Sequence, residues 1–396
     1  MSNYILIISA VYPPEPVVSA KLSADLYQAL KADGRAVKVL HPEPTRPNGF
    51  KFDGTISPNE DEITLPSYTC PQSSLFGRFK ESFSFGKECA KFICEHHQEI
   101  ACIYANAWPL GSQSRIVKEA KKYGIPVAMH VQDVYPESLT NKLPSFIGGM
   151  LSAMLLPMDK FILRNSDRVI AISEKMMAHL VETRGIDASK VSVVINWQDE
   201  SEFLKFQKKA VTESQNKFTF MYMGNIGPVA GVDLLIDAFE HTRLDGARLV
   251  IAGSGSMKEA LKEKAKNNQN IEFWDVPNGK VPEIQSKADV MMLPIKKGAA
   301  SSSIPSKLPA YMFSAKPIIG SMDRDSDTAN AILESRGGVI VEPENKDILA
   351  KMMTEMMAKD NKELVEMGMK GQKYALEHFS KSANLSNLKR VVCELV

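Results

Sequence analysis

Phe218-Thr-Phe-Met-Tyr-Met223-Gly-Asn-Ile-Gly-Pro-Val-Ala-Gly231-Val-Asp-Leu-Leu-Ile-Asp-Ala-Phe239 decides the fold of this chain. Its first six residues form an apolar run with the composition of a buried strand. The run stops at Gly224-Asn225-Ile226-Gly227, and apolar positions at helical spacing begin near Gly231. A strand that ends on a glycine turn and feeds a helix is suited to an anion. The bare backbone lets a ligand come close, and unpaired N–H groups of the first helical turn favour negative charge. This unit lies past the midpoint of the chain, so it opens a second α/β domain.

The chain has 396 residues, enough for two domains with full cores. Hydrophobic residues make up 44% and charged residues 24%, as in ordinary soluble globular proteins. A formal net charge of +1 gives no bulk field for nucleic acid, and none is expected as a partner. The five cysteines (Cys70, Cys89, Cys94, Cys102 and Cys393) are odd in number and include no C-x-x-C, the pattern of reduced cytosolic thiols. Cys94, His96 and His97 are close in sequence. Adjacent histidines point to different sides of a helix, so no metal is expected there. Residues 1–9 lack a basic n-region and read as a first buried strand, not a signal peptide. No segment reaches the ~20 apolar residues that span a bilayer. Residues 143–156 come nearest; they are closed by Pro157 and Asp159-Lys160, and are long enough to lie on a membrane.

Strand and helix patterns alternate throughout, which argues for parallel sheets. Strands are expected near 4–9, 36–40, 101–105, 126–131, 168–172 and 191–195, then 218–223, 247–251, 271–274, 289–293, 317–320 and 338–341. Helices are expected near 18–32, 77–97, 112–123, 147–165 and 174–184, then 231–242, 256–267, 281–287, 305–314, 326–335, 346–358 and 361–378. The polar stretch 205–217 has the character of a linker. The domains read as 1–204 and 218–381, with a last helix over 382–396. Open parallel sheets bind ligands at the carboxyl ends of their strands, so the loops that follow strands are the candidate sites.

Those loops carry a resemblance. Tyr12-Pro-Pro14 opens the first, followed by the helix pattern Leu26 to Leu30 with Gly34. Further on come Asp133-Val-Tyr-Pro-Glu-Ser138, Ser166-Asp-Arg-Val-Ile-Ala-Ile-Ser173 and Val194-Ile-Asn196. Gly253-Ser-Gly255, Ala288-Asp289, Pro305-Ser-Lys-Leu308 and Lys316-Pro317 complete the series. Their order and spacing along nearly the whole chain resemble the retaining glycosyltransferases of family 4. Within that family the chain is similar to the bacterial N-acetyl-L-fucosamine transferase branch. The resemblance implies an α/β fold of two Rossmann-like parallel-sheet domains facing a cleft (GT-B), with the helix over 382–396 packing back on the first domain. The implied partners are a nucleotide-sugar donor, UDP-linked, and a polyprenyl-diphosphate-linked glycan acceptor. The implied product is a surface polysaccharide of the O-antigen or capsule kind, made in the cytoplasm on the inner face of the plasma membrane, with no cofactor.

The chain departs from that family where the donor diphosphate and ribose are usually gripped. Asn225 and Ala230 stand where the family has arginine and lysine, Ser302 and Ala310 where it has two glutamates, and Val17-Val18 where it has paired glycines. The remaining donor-side candidates are Gly224, Asn225, Gly227, Gly253, Val276, Ser303, Ser306 and Lys307. Lys307 follows a small-residue loop, either as the point charge of an anion nest or as a solvated lysine at a Pro/Ser helix start. Gly253-Ser-Gly255 is a nucleotide contact or a plain strand–helix turn. Val276 ends a stretch that either lines a base pocket or belongs to the core.

On the acceptor side Asp133 ends an apolar strand, placed to orient a hydroxyl or share its proton, or else to cap the next turn. His130 is a second catalytic candidate or a core histidine; Pro14, Ser19 and Glu137 complete the acceptor set. The resemblance implies a front-face route in which a donor phosphate oxygen helps to accept the proton. Asp323-Arg-Asp325 spells a D-x-D but fits a turn or helix cap, and no G-x-G-x-x-G follows the first strand. A 2-epimerase of the same fold and a two-lobed sugar-binding protein are the alternatives. Phe76, Phe79, Phe83 and Phe85, interleaved with Arg78, Lys80 and Lys87, read either as a contact with an anionic membrane or as core.

Overall fold

The computed structural model describes residues 3–45, 60–70, 74–140, 143–207, 217–228, 230–277, 279–298 and 304–396. It divides into two compact units, Met1–Asn196 with Asn384–Val396, and Trp197–Ala383. The first unit runs β1 (Tyr4–Ser9), α1 (Val18–Ala32), β2 (Val37–Pro42), β3 (Glu62–Leu65), α2 (Leu75–His96), β4 (Ile100–Asn106) and α3 (Gly111–Lys122). It continues β5 (Val127–Val131), α4 (Glu137–Thr140), α5 (Ser145–Arg164), β6 (Arg168–Ala171), α6 (Glu174–Arg184) and β7 (Val191–Val193). Its seven strands form one parallel sheet in the order β3-β2-β1-β4-β5-β6-β7. Every residue of β1 and β5 is buried, as expected of strands covered by helices on both faces.

The second unit runs α7 (Ser201–Gln207), β8 (Phe218–Met223), α8 (Val232–Thr242), β9 (Ala247–Ala252), α9 (Lys258–Ala265), β10 (Ile271–Trp274), α10 (Val281–Ser286) and β11 (Val290–Pro294). There follow α11 (Lys307–Phe313), β12 (Ile318–Ser321), α12 (Asp327–Ser335), β13 (Gly338–Val341), α13 (Lys346–Met357), α14 (Asn361–His378) and α15 (Lys381–Cys393). Its parallel sheet has the order β10-β9-β8-β11-β12-β13. Strand order reverses between β1 and β4 in one sheet and between β8 and β11 in the other. At such a switch point neighbouring loops diverge and leave a crevice.

Three elements differ from the sequence reading. β3 is a four-residue edge strand with too little apolar character to signal itself, and α4 is a single turn. α7 covers the end of the segment assigned to the first domain and the start of the assigned linker, yet it packs in the second unit. Phe203 is buried there against Phe313, with ring centroids 5.8 Å apart, and Gln207 Nε2 donates to Phe313 O at 3.1 Å. Residues 208–216 of that linker lie outside the described residues. Helix α5 runs unbroken through Pro157 for 20 residues, long and apolar enough by length and composition to cross a membrane. Its inner face nevertheless belongs to the protein core, where Leu155, Ile162 and Leu163 are buried.

Candidate functional site

In the second unit the site is built by glycines at the ends of β8 and β9. Gly224 has φ 153° and Gly253 φ 130°, conformations that side chains rarely adopt. A Cβ on Gly253 would lie 2.1 Å from Gly224 O, so the two strand ends touch through bare backbone. A Cβ on Gly224 would lie 2.3 Å from Lys307 Cε, so the lysine stem lies across this glycine. The Lys307 ammonium sits 5.7 Å from the Tyr222 ring centroid. Among the described residues no carboxylate pairs with it, and burial pulls its pKa below that of an ordinary lysine. Desolvated without a counter-ion, a cation of this kind favours an incoming anion.

Buried contacts fix this arrangement. Tyr311, on the helix that starts at Lys307, accepts from Met223 N at 2.8 Å and donates to Met223 O at 2.7 Å. Tyr222 OH donates to Asn225 O at 2.6 Å and shapes the turn. Lys258 donates to Gly253 O at 2.8 Å and pairs with Asp275 at 2.7 Å, tying the β9 and β10 ends beside half-buried Val276. Asn225 and Ser306 are exposed, and Gly227 is half-buried. Ser303 lies outside the described residues. A cavity of about 250 Å³ beside Gly231 and Pro294 mixes Lys296 and Lys346 with Asp233, Asp237 and Glu344. Neither Gly224 nor Lys307 lines it, and its mixed charges make it a poorer anion site than the open glycine–lysine edge.

In the first unit Asp133 is exposed just past β5. His130, three residues earlier, is only 1% exposed and does not reach the mouth. Burial lowers its pKa to about 3, so it is neutral. Gln132 Nε2 lies 3.0 Å from His130 Nε2 and Tyr104 OH 2.7 Å from His130 Nδ1, while Asn196 Nδ2 donates to Gln132 Oε1 at 2.8 Å. With the Gln132 amide donating, the imidazole N–H sits on Nδ1 and faces Tyr104. His130 is thus buried below the Asp133 mouth, with its ring between Gln132 and Tyr104.

Glu137, expected on the acceptor side, is held in an ion network. It grips Arg184 through both oxygens at 2.8 and 2.6 Å, and His179 lies 3.3 Å away. Arg184, 1% exposed, further donates to Asp159 at 2.7 Å and to Tyr135 O at 2.7 Å. Partial burial pushes the Glu137 carboxyl up, but the Arg184 bonds, a backbone bond and His179 outweigh it and leave it lowered. Glu137 therefore anchors the Asp133 loop from behind. Pro14 is exposed on the loop after β1, and Ser19 lies in the first turn of α1. Asn106, at the end of β4, donates to Ser19 O at 3.4 Å and accepts from Ala10 N at 2.9 Å, closing the switch point. Sequence reasoning missed Asn106, Gln132 and Arg184. Their only signal was polarity beside strand ends or near a helix terminus.

Residues 20–197 match the family model described as glycosyl transferase 4-like domain, and residues 217–359 the one described as glycosyl transferases group 1. The two matches run through most of both units. The chain is a glycosyltransferase of the GT-B fold. The transferase is similar to WcaI of Escherichia coli K12, a glycosyl transferase named for colanic acid biosynthesis. They share 24% identity over 327 residues, 77% of this chain and 79% of WcaI. It is also similar to WbjE of Pseudomonas aeruginosa, named as a glycosyltransferase, at 23% over 245 residues, 60% and 61% of the two chains. Among solved structures, Alr3699/HepE of Anabaena in complex with UDP superposes with a TM-score of 0.64 at 14% identity, covering 99% of this chain and 100% of that one. Sucrose-phosphate synthase of Thermosynechococcus elongatus gives 0.70 at 16% identity, covering 99% of each. At these identities the structural likeness is one of fold.

The D-x-D of the transferase is explained locally. Asp323 accepts from Gly298 N at 2.6 Å, and its carbonyl accepts from Ser326 OH at 2.7 Å, where Ser326 caps α12. Among the described residues no three His, Cys, Asp or Glu side chains gather as metal ligands.

Proposed function

We propose that the enzyme transfers a sugar from a UDP-sugar to a lipid-linked glycan, with retention, during surface-polysaccharide synthesis at an anionic membrane. The donor sugar is an N-acetylhexosamine or a deoxy amino sugar, and the acceptor rides on polyprenyl diphosphate. The observation that carries the reading is Lys307, an unpaired and desolvated cation laid over Gly224 where a strand end leaves backbone bare. A diphosphate supplies the missing counter-charge, and glycines let it approach the backbone. The name of WcaI supports the polysaccharide setting, and the UDP complex of Alr3699/HepE supports the nucleotide.

In this reading the bond from the anomeric carbon to the donor phosphate oxygen breaks, and Lys307 stabilises the charge that grows on the leaving diphosphate. The acceptor hydroxyl bonds to the same face of that carbon, and its proton passes to a diphosphate oxygen. Asp133 orients the hydroxyl, and His130 and Glu137 hold the loop that presents Asp133. The test is a thermal-shift panel of UDP, GDP and ADP with their sugars, with and without EDTA, followed by UDP release in the presence of a lipid-linked acceptor. UDP alone should raise the melting temperature, and EDTA should not remove the effect. Stabilisation by GDP or ADP in place of UDP, or only with added Mn²⁺, would reject this donor site.

A further inference from the structure

We propose that the layer α2–α3–α5 of the first unit is a docking face for an anionic bilayer, with the outer stripe of α5 inserted at the headgroup boundary. The inference rests on the lipid-linked acceptor of the proposed function and names the surface that would meet the membrane. On α5, Phe146 is 83% exposed, Met150 65% and Met154 67%, spaced four residues apart, with Ile147 beside them at 47%. From Ser145 to Met158 the helix carries no charged residue. Scattered exposed apolar side chains need no explanation, but a continuous apolar stripe this long does.

Helix α3 packs between α2 and α5. Arg115 lies 5.8 Å from the Phe83 ring centroid on one side, and Lys118 lies 5.6 Å from the Phe161 centroid on the other. The exposed positions of α3 are Arg115, Lys118, Lys121 and Lys122, all basic. On α2 the outward stripe is Phe76, Lys80, Phe83, Lys87 and Lys91, at helical spacing. Of the four phenylalanines marked in the sequence, Phe85 is core and Phe79 half-buried, which leaves Phe76 and Phe83 to face outward. Acidic groups are few on this layer. Glu81 and Asp159 are buried, Glu88 and Glu119 half-buried, and Glu95 is exposed near the far end of α2. Apolar groups flanked by cations match a bilayer with anionic headgroups, and a solvated protein partner offers no reason for that pairing.

The position also suits the chemistry. α2, α3 and α5 each lead into the next strand of a parallel sheet, so their N-termini lie at the strands' carboxyl edge, where Asp133 is exposed. Phe76, Phe146 and Met150 are therefore at the acceptor end of the layer, and a glycan diphosphate held at a membrane surface would lie alongside it.

The experiment uses the full chain with vesicles of phosphatidylcholine alone or mixed with phosphatidylglycerol, read by co-sedimentation. Wild type should favour anionic vesicles at least ~10-fold and lose that preference in high salt. A Phe146→Ser, Met150→Ser, Met154→Ser variant should bind them at least ~10-fold more weakly, and its stabilisation by UDP should match wild type. Lys80→Glu with Lys87→Glu and Lys118→Glu should abolish the preference for anionic lipid. In a Phe146→Trp variant, brominated lipid should quench the added fluorescence. Absent or lipid-indifferent binding by wild type would overturn the proposal, as would undiminished binding by the serine variant. A wild-type dimer that this variant splits, with no change on vesicles, would also overturn it and assign the stripe to a second copy of the chain. Vesicle binding with no response to any UDP-sugar would reject the proposed donor chemistry and leave the docking face standing. Transfer to a detergent-solubilised acceptor without vesicle binding would do the reverse.

Discussion

Lys307 lies over Gly224 only because position 224 has no Cβ, and each residue explains the other. Gly224→Ala would press a methyl into the Lys307 stem, at 2.3 Å from Cε, and displace the ammonium. Lys307→Ala should weaken UDP-sugar binding by about 1–3 kcal/mol, the range for a hydrogen bond to a charged group, as read by titration calorimetry. The pH dependence has a definite sign. Burial lowers the Lys307 pKa from 10.5, and a diphosphate prefers the charged form. Affinity should hold below that lowered value and fall as pH rises through it, and Lys307→Arg should flatten the curve because guanidinium stays charged. The difference between the two curves is the readout. Asp133→Asn keeps shape and removes charge; turnover should drop by about 10²-fold with little change in donor affinity. Near wild-type turnover with saturating acceptor would move Asp133 out of the catalytic set. Asp133 stood out in the sequence because it ends an apolar run, and Lys307 because it follows a small-residue loop. The buried state of His130 and the Arg184 clasp on Glu137 did not, since sequence gives a side chain's type and not what surrounds it.

At the scale of elements, Arg184 joins the last turn of α6 to Asp159 of α5 and to the Asp133 loop. Removing one member of a buried ion network strands the others, at a cost of about 3–5 kcal/mol. Arg184→Met should therefore lower the denaturation midpoint strongly and impair transfer more than UDP binding. Glu137 has a lowered carboxyl pKa, so its contribution is present above the unfolded value of ~4.3 and is lost as pH falls through the folded one. Asp159, pushed up to about 6 by burial against the pull of Arg184, works the other way as pH rises from ~4 to 6. A pH series of melting temperatures in wild type and Arg184→Met checks both limbs; an identical acid limb in the two would exclude the network as its source. Most elements were legible because fully apolar runs and helical spacing are local signals. β3, α4 and α7 were not, because each is short and lacks an apolar run or a repeat of helical spacing long enough to signal itself. The helix expected over 147–165 is α5, which runs through Pro157 because core contacts of its inner face offset the lost hydrogen bond.

Across the whole molecule, chain order and unit membership part company at the end. α15 begins in the second unit, but from Asn384 onward it belongs to the first. There Leu388, Val391 and Val392 are buried, Ile195 N donates to Asn384 Oδ1 at 3.1 Å, and Lys389 pairs with Asp33 at 2.7 Å. Three fully buried aliphatic side chains at ~1.5–3 kcal/mol each make this segment worth on the order of 5 kcal/mol to the first unit. Deleting residues 384–396 should raise hydrogen exchange across β1 and β4 and leave UDP-induced protection at 224–255 in place. Unchanged exchange in β4 would refute that assignment. The sequence by itself determined the two parallel-sheet halves and the strand ends that carry Gly224, Gly253 and Asp133, because hydrophobic period and glycine turns are written within short stretches; the resemblance to glycosyltransferases came from the order of its loop motifs. Tertiary structure alone decided that α7 joins the second unit, that His130 and Glu137 face inward, that Lys307 lies on Gly224, and that α5 turns a bare apolar stripe outward. Each depends on which distant residue fills the space beside a side chain, and only the folded chain brings those residues together.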